Sequence, residues 1–424
     1  MAARTGLNDG LVVAFAVAAL ALVVRLPFIG HALWHDEAAT VIQYVQGGWT
    51  APWTDVTEND HLLLSVLARL QSPFLGTSPW AMRLWSIVPA VVACGLLTAV
   101  TSRVHSRFAG VVAGGVLALT PLVVDITAHA RGYGLVLLGA TIVLAATTRR
   151  EGVSHVTAAA GWFIAAATTP LAAAVVGALW LGSSVARRDV AGAAVPAVAA
   201  ALVAAVWWGP VASAYLQAVL AVQQPKSPPG TQLPVLERIV DAVQHPPAVD
   251  VWRNLVGLQP HPVLALTGLA LIGMLVALLL PRVRQLAPGL LEGTALATVV
   301  LLAAVVVGLP PSLRFALLVA PAGAMVIGVA LAAAPSRRVA VVPVLAFALL
   351  AGASLPQRWA TPQEPYGRLA TALTEKGVKD LYLATVDRAP GHLLVPDGPT
   401  VHIVVASPVE NLGGVPARVL DRVR

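Results

Sequence analysis

Long apolar runs recur along the whole chain, and nothing constrains its fold more. They fall at about 11–28, 80–101, 108–124, 134–148, 153–168, 170–186, 190–208, 261–280, 287–308, 314–334 and 338–355. A membrane span needs about 17–25 mostly apolar residues, and most of these runs reach or approach that length. Lipid offers the backbone no hydrogen-bond partner, so spanning segments are helices or closed barrels. The runs are continuous Ala, Val and Leu rather than alternating apolar and polar, which selects helices. Composition agrees: 58% of the 424 residues are hydrophobic and 11% are charged, with a mean hydropathy of +0.80. Soluble domains carry about a quarter charged residues. Thr168-Thr169-Pro170 breaks the stretch 153–186, because proline removes a backbone donor and clashes with the preceding turn. The first run leads into Arg25-Leu26-Pro27 without a clear small-residue cleavage site and reads as a retained span.

The net charge of +7 would suit nucleic acid, but its placement does not. Basic residues form small clusters between apolar runs, not a stripe or tail. Arg4, Arg103 with Arg107, Arg149-Arg150, Arg187-Arg188, Arg282 with Arg284, and Arg337-Arg338 occupy every second gap. Short arginine-bearing loops face the cytoplasm. The expected fold is an all-α polytopic membrane protein of about eleven transmembrane helices. Its N-terminus is cytoplasmic and its C-terminus extracytoplasmic. Residues 1–355 form the bundle, with long outer loops at 29–79 and 209–260, and residues 356–424 form a small extracytoplasmic unit. Cys94 is the single cysteine and lies in an apolar run, so neither a disulfide framework nor a cysteine metal site is expected.

The outer side carries the variety. Segments 36–46 and 61–71 read as amphipathic interfacial helices, the second with Leu62, Leu63, Val66, Leu67 and Leu70 on one side. In the tail, Tyr366–Lys376 has helical spacing, while Asp380–Thr385 and Thr400–Val405 are short β-rich runs. Together they predict a small α/β unit, too short for an independent enzyme domain and packed on the outer face. Trp34, Trp49, Trp53, Trp80, Trp207, Trp208, Trp252 and Trp359 also gather on this side. They form an interfacial aromatic belt or platforms for sugar or lipid.

Two constellations are suited to chemistry. Asp36-Glu37 follows Leu33-Trp34-His35 just after the first run; on a helix, neighbouring side chains diverge by about 100°. The pair is a helix-capping acidic pair at the interface or, as ionisable groups at membrane depth, functional. Asp125-Ile-Thr-Ala-His129-Ala-Arg131-Gly-Tyr133 puts a carboxylate, an imidazole, a guanidinium and a phenol in one short turn. Arg131 either snorkels to lipid phosphates or clamps an anion with its planar fork. Arg314, at the entrance of a late run, and Lys226, the only lysine before the tail, add outer cations. His31, His35, His61 and His129 lie near the carboxylates and admit a divalent metal, although no recognised ligand spacing is present. Hydrogen-bonded or water-exposed histidine is the alternative. A P-loop, a GxGxxG after a strand and a GxSxG are all missing, which argues against soluble nucleotide chemistry.

These residues resemble a known family. Arg25-Leu-Pro-Phe-Ile-Gly-His-Ala-Leu-Trp34-His-Asp36-Glu37 is similar to the first-loop Asp-Glu signature of the C-type integral-membrane glycosyltransferases. The branch it resembles contains the protein O-mannosyltransferases and the aminoarabinose transferase of lipid A. Asn59-Asp-His61-Leu-Leu-Leu is similar to that branch's Asn-His-Pro-Leu-Tyr-Tyr-Leu-Leu stretch, and Pro79-Trp-Ala-Met-Arg83-Leu-Trp-Ser to its entry into the second span. Ala130-Arg131-Gly-Tyr133 resembles its Ala-Arg-x-Tyr, and Arg314-Phe-Ala-Leu-Leu-Val-Ala-Pro321 its late Arg-Tyr segment. The matches keep the family's order from residue 25 to 321. His61 lacks the following proline, His129 stands where many relatives carry an acid or glutamine, and Phe315 replaces tyrosine. These departures bear on acceptor choice and on any metal.

The resemblance implies a polyprenyl-phosphate-sugar donor and transfer to a hydroxyl on a glycan, lipid or protein outside the cytoplasm. No nucleotide sugar or nucleic acid takes part, and no cofactor is firmly implied. Asp36 would be the general base, and Glu37 would orient Asp36 or the acceptor. Arg131 and Arg314, with Tyr133 and Lys226, would hold the phosphate and stabilise its growing charge. His61, His129, Asp125 and Trp34 would contact sugar or acceptor, and direct displacement would invert the anomeric centre. A transporter or flippase for a lipid-linked sugar would instead show midplane charges and internal repeats. A non-catalytic scaffold of cell-wall assembly is the third reading. Heavy use of Ala and Arg beside three lysines points to a GC-rich bacterial genome.

Overall fold

The computed structural model describes residues 2–31, 33, 36–37, 40–47, 49–54, 61–149, 151–215, 281, 289–307, 317–334, 336–359, 380–385 and 400–405. The fold is helical. In chain order the helices are α1 (Ala2–Val23), α2 (Ala51–Thr54), α3 (Leu62–Leu75), α4 (Pro79–Val104), α5 (Arg107–Leu119), α6 (Pro121–Ala128), α7 (Tyr133–Thr147), α8 (His155–Thr168), α9 (Pro170–Ala186), α10 (Val190–Trp208), α11 (Leu290–Val307), α12 (Ala320–Ala332) and α13 (Arg337–Trp359). Each apolar stretch named above holds a helix except 261–280, which lies outside the described residues. Two strands, β1 (Asp380–Thr385) and β2 (Thr400–Val405), pair in parallel, with Asp380 opposite Thr400. The helix expected over 366–376 lies outside the described residues.

Three segments are long and apolar enough to cross a membrane: Gly10–Phe28, Pro79–Val104 and Val190–Trp208. A fourth arises if α5 and α6, bent by 57° at Thr120, count as one span. The exterior suits lipid. Phe15, Val156, Val195, Val206 and Leu349 stand exposed on helix faces that water would penalise. The described chain is therefore a membrane protein by composition, length and surface.

Small residues let the helices approach backbone to backbone, as is common where lipid gives apolar packing no advantage. Gly110 and Gly114 form a GxxxG stripe on α5 that lies against Ser102, Thr98 and Cys94 of α4. Gly139 of α7 meets Gly161 of α8, and Gly182 of α9 meets Gly293 of α11. Buried hydroxyls fold back onto their own helices. Thr98 donates to the Cys94 carbonyl at 2.9 Å and Thr141 to that of Leu137 at 2.8 Å, so these two hydroxyls are satisfied within their own helices.

Two breaks shape the end of the bundle that carries the first loop. Pro170 has no N–H, so the Ala166 carbonyl loses its helical partner. The Trp208 indole N–H replaces it at 2.7 Å, and Trp207 donates to the Ala167 carbonyl at 3.0 Å. The Trp207 ring also packs edge-on against Trp53, 5.6 Å between centroids. These two tryptophans therefore act as a helix cap. The second break, at Thr120-Pro121, is braced by Arg25, which is fully buried. Its Nε donates to Thr127 Oγ1 at 2.9 Å, and its Nη1 donates to the Ala21 carbonyl at 2.8 Å and the Ala118 carbonyl at 3.5 Å.

The first loop is helical at both expected segments, one of them in π-helical form. Within 36–46, Asp36-Glu37 are helical and Thr40–Val45 forms a π-helix. Arg69 reaches back to the Tyr44 and Gly47 carbonyls at 2.8 and 2.6 Å and lies over the Trp49 ring. Helix α3 forms where the second amphipathic segment was expected; Leu62, Leu64, Ser65, Ala68 and Gln71 are buried, while Leu70 and Phe74 are exposed. Polar residues turn inward because they find partners there. The Gln71 amide donates to the Ala81 carbonyl at 2.5 Å, while neighbouring Leu70 faces outward.

Candidate functional site

The acidic pair divides as adjacent helical residues must, one carboxylate inward and one outward. Glu37 is fully buried. Arg83, from the first turns of α4, grips it in two prongs, Nε to Oε1 at 3.0 Å and Nη2 to Oε2 at 2.8 Å. The third nitrogen of Arg83 donates to the carbonyls of Phe28 and His31, 2.6 Å each. The Ala130 N–H donates to Glu37 Oε1. Glu37 thereby ties together the first loop, α4 and the turn after α6. Burial alone would favour the neutral acid, but the Arg83 charge and the His129 contact hold its carboxyl well below the usual carboxylate range. Glu37, expected to orient Asp36 or the acceptor, here fastens the first loop to α4 and to the turn after α6.

Asp36 points the other way. Its carboxylate forms an ion pair with Arg131, the two side chains 35% and 15% exposed. Arg131 is fixed from behind, because the Ser86 hydroxyl donates to its carbonyl and its own N–H donates to the His129 carbonyl at 2.7 Å. His129 sits between two acids, with Nδ1 3.8 Å from Glu37 and Nε2 3.8 Å from Asp125. Those are charge contacts, too long for good hydrogen bonds. Burial disfavours the imidazolium, yet the flanking carboxylates of Asp125 and Glu37 outweigh it and raise His129 to about 9.

His61 and Tyr133 form a second grouping at the same end, an edge-to-face ring pair 4.8 Å between centroids. Gly132 lets the chain pass: a Cβ there would meet the His61 ring, with His61 Cγ at 3.3 Å. Gly134 presses on α4, where an added Cβ would stand 2.9 Å from Ser86 Cα. The turn 129–134 is thus held against α3 and α4 by contacts that need glycine.

Of the residues expected at a site, Asp36, Glu37, Asp125, His129 and Arg131 converge, and His61 and Tyr133 pair nearby. Trp34, Lys226 and Arg314 lie outside the described residues. Among the described residues, no group of three His, Cys, Asp or Glu side chains is arranged to hold a metal ion. Three residues central to the geometry were not expected: Arg83, Arg25 and Ser86. The two arginines did leave a signal. Both sit at the end of an apolar run where the arginine-bearing gaps predict none, so each needs a buried partner.

No family model matches the chain, and no curated protein matches it in sequence.

Proposed function

We propose that this chain is a membrane-embedded glycosyltransferase of the C-type architecture. It moves a sugar from a polyprenyl-phosphate donor to a hydroxyl acceptor on a cell-envelope glycan, glycolipid or protein. The observation that carries this reading is the meeting of Asp36 and Arg131 above a buried Glu37–Arg83 pair. One partly exposed carboxylate and one partly exposed guanidinium share a rigid frame, which is what a base beside a phosphate clamp requires.

The acceptor oxygen attacks the anomeric carbon and its proton passes to Asp36. The bond from that carbon to the phosphate oxygen breaks, and polyprenyl phosphate leaves with its charge held by Arg131. Arg314 and Lys226 assist if their segments reach the same rim. Displacement in one step inverts the anomeric centre. Glu37 and Arg83 position Arg131 and the first loop; His61, Tyr133, His129 and Asp125 contact sugar or acceptor. The bundle crosses the plasma membrane about eleven times, N-terminus inside, with this rim and the C-terminal α/β unit outside.

The charge distribution favours an enzyme over a flippase. Among the described residues, the buried charges are Arg25, Glu37 and Arg83, all at the loop end of the bundle. A carrier that moves a charged head group through the bilayer places such groups near its midplane. The test is transfer by the reconstituted protein of a labelled sugar from a polyprenyl-phosphate donor to an extracted envelope acceptor. Wild type is expected to transfer, and Asp36→Asn to be slower by about 10²–10⁴-fold. Equal rates would remove Asp36 as base. Movement of donor across the bilayer without transfer would favour the flippase, and silence across donors a scaffold.

A further inference from the structure

Asp36 and Arg131 have competing obligations. Arg131 is the cation placed to meet the donor's phosphate, yet it is already paired with the carboxylate that must take the acceptor's proton. Arg83 cannot take over, because Glu37 and the Phe28 and His31 carbonyls occupy its fork. Glu37 is fixed in turn by the Ala130 N–H. Charge tells the same story. Asp36, Glu37 and Asp125 face Arg83, Arg131 and protonated His129, so the described cluster is neutral as it stands. An entering phosphate adds a negative charge, and a planar guanidinium exchanges one carboxylate for one phosphate readily.

We propose that the Asp36–Arg131 ion pair is a latch opened by the donor's phosphate: the anion draws Arg131 to itself and uncovers Asp36 as the base. The inference rests on the glycosyltransferase reading and adds an order of events. Donor binds first, and the base stays masked until it does, so Asp36 does not activate a hydroxyl in an empty site. The proton that Asp36 then takes from the acceptor offsets the second negative charge that the phosphate gains as its bond to the sugar breaks.

Equilibrium binding of farnesyl phosphate and of inorganic phosphate to the full-length protein in detergent tests the latch. Removing the competing carboxylate must strengthen anion binding even as it slows transfer. Asp36→Asn is expected to bind farnesyl phosphate roughly fivefold tighter than wild type, the scale of a partly exposed ion pair. Arg131→Gln is expected to bind more weakly, and the double variant no better than Arg131→Gln alone. A matching gain with inorganic phosphate supports opening by the head group alone; a gain confined to farnesyl phosphate supports opening by the lipid donor. Thermal unfolding checks each variant, and Asp36→Ser replaces Asp36→Asn if the latter does not fold. If wild type binds farnesyl phosphate and the charge-removing variant binds it no tighter, the latch alone is overturned. If wild type shows no saturable binding, the phosphate site and the latch fall together.

Discussion

Arg83 closes on Glu37 in a two-pronged pair sealed from solvent, the two side chains 1% and 0% exposed. The two residues come from different parts of the chain, the first loop and α4, so the pair is where the first loop is fastened to the bundle. Burying two charges is costly and is offset only when every lone pair and N–H is used. Here the Phe28, His31 and Ala130 backbone groups complete the set.

Glu37→Gln is therefore expected to destabilise the protein by about 3–5 kcal/mol, because it leaves the Arg83 charge buried and unmatched. Thermal unfolding in detergent measures it. Arg83→Lys is expected to do nearly as badly, since an ammonium cannot span both oxygens and two carbonyls. Asp36→Asn, at a partly exposed pair, is expected to stay within about 1 kcal/mol of wild type. A Glu37→Gln protein as stable as wild type would refute the fastening role.

His129 gives a pH signature. Its folded pKa of about 9 lies above the ordinary value of 6.5, so the charged form stabilises the fold. That contribution is fully present below about pH 6.5, falls as pH rises, and is gone above about 9. The difference in unfolding temperature between wild type and His129→Asn is expected to follow that course. A difference that does not change between pH 6 and 9.5 would show that His129 is not held charged by Asp125 and Glu37.

The tryptophan cap is tested by removing one N–H. Trp208→Phe leaves the Ala166 carbonyl without its donor and is expected to cost about 1 kcal/mol. Trp207→Phe is expected to cost about as much through Ala167, while Trp53 keeps an aromatic neighbour. Free exchange of both for phenylalanine would return them to the interfacial belt.

Thr127→Val strands the Nε donor of a fully buried guanidinium and is expected to cost about 2 kcal/mol. Because Arg25 braces the bend that carries Asp125 and His129, the same variant is also expected to lower transfer. A stable, fully active Thr127→Val would show that the bend holds without the brace.

Much of the helical order was legible because its signal is local. Apolar runs, the Thr168-Thr169-Pro170 break and the Asp36-Glu37 and Asp125–Tyr133 motifs are each contained within a few residues. What was not legible depends on partners far along the chain. Nothing near Glu37 in sequence announces Arg83, and nothing near Pro170 announces Trp208. The buried side of α3 depends on such a partner too: Gln71 has the Ala81 carbonyl to bond, and in lipid a leucine such as Leu70 loses little by facing out. Arginine placement carries a further signal. Arg25 and Arg83, like Arg131, break the alternation of basic gaps, and all three are clasped to oxygen atoms.

Gly134 has no side chain to offer, yet Ser86, against which it lies, is the residue that holds the Arg131 carbonyl. A single methyl there would push the turn off α4 and carry the guanidinium with it. Over generations of point substitution, valines on the outward face of α10 can become leucines or isoleucines unnoticed. The hydrogen at 134 has no such latitude. Mutational drift in this protein is thus narrowest at a position that does no chemistry, and a saturation screen should register Gly134 among the least replaceable residues, beside Asp36 itself.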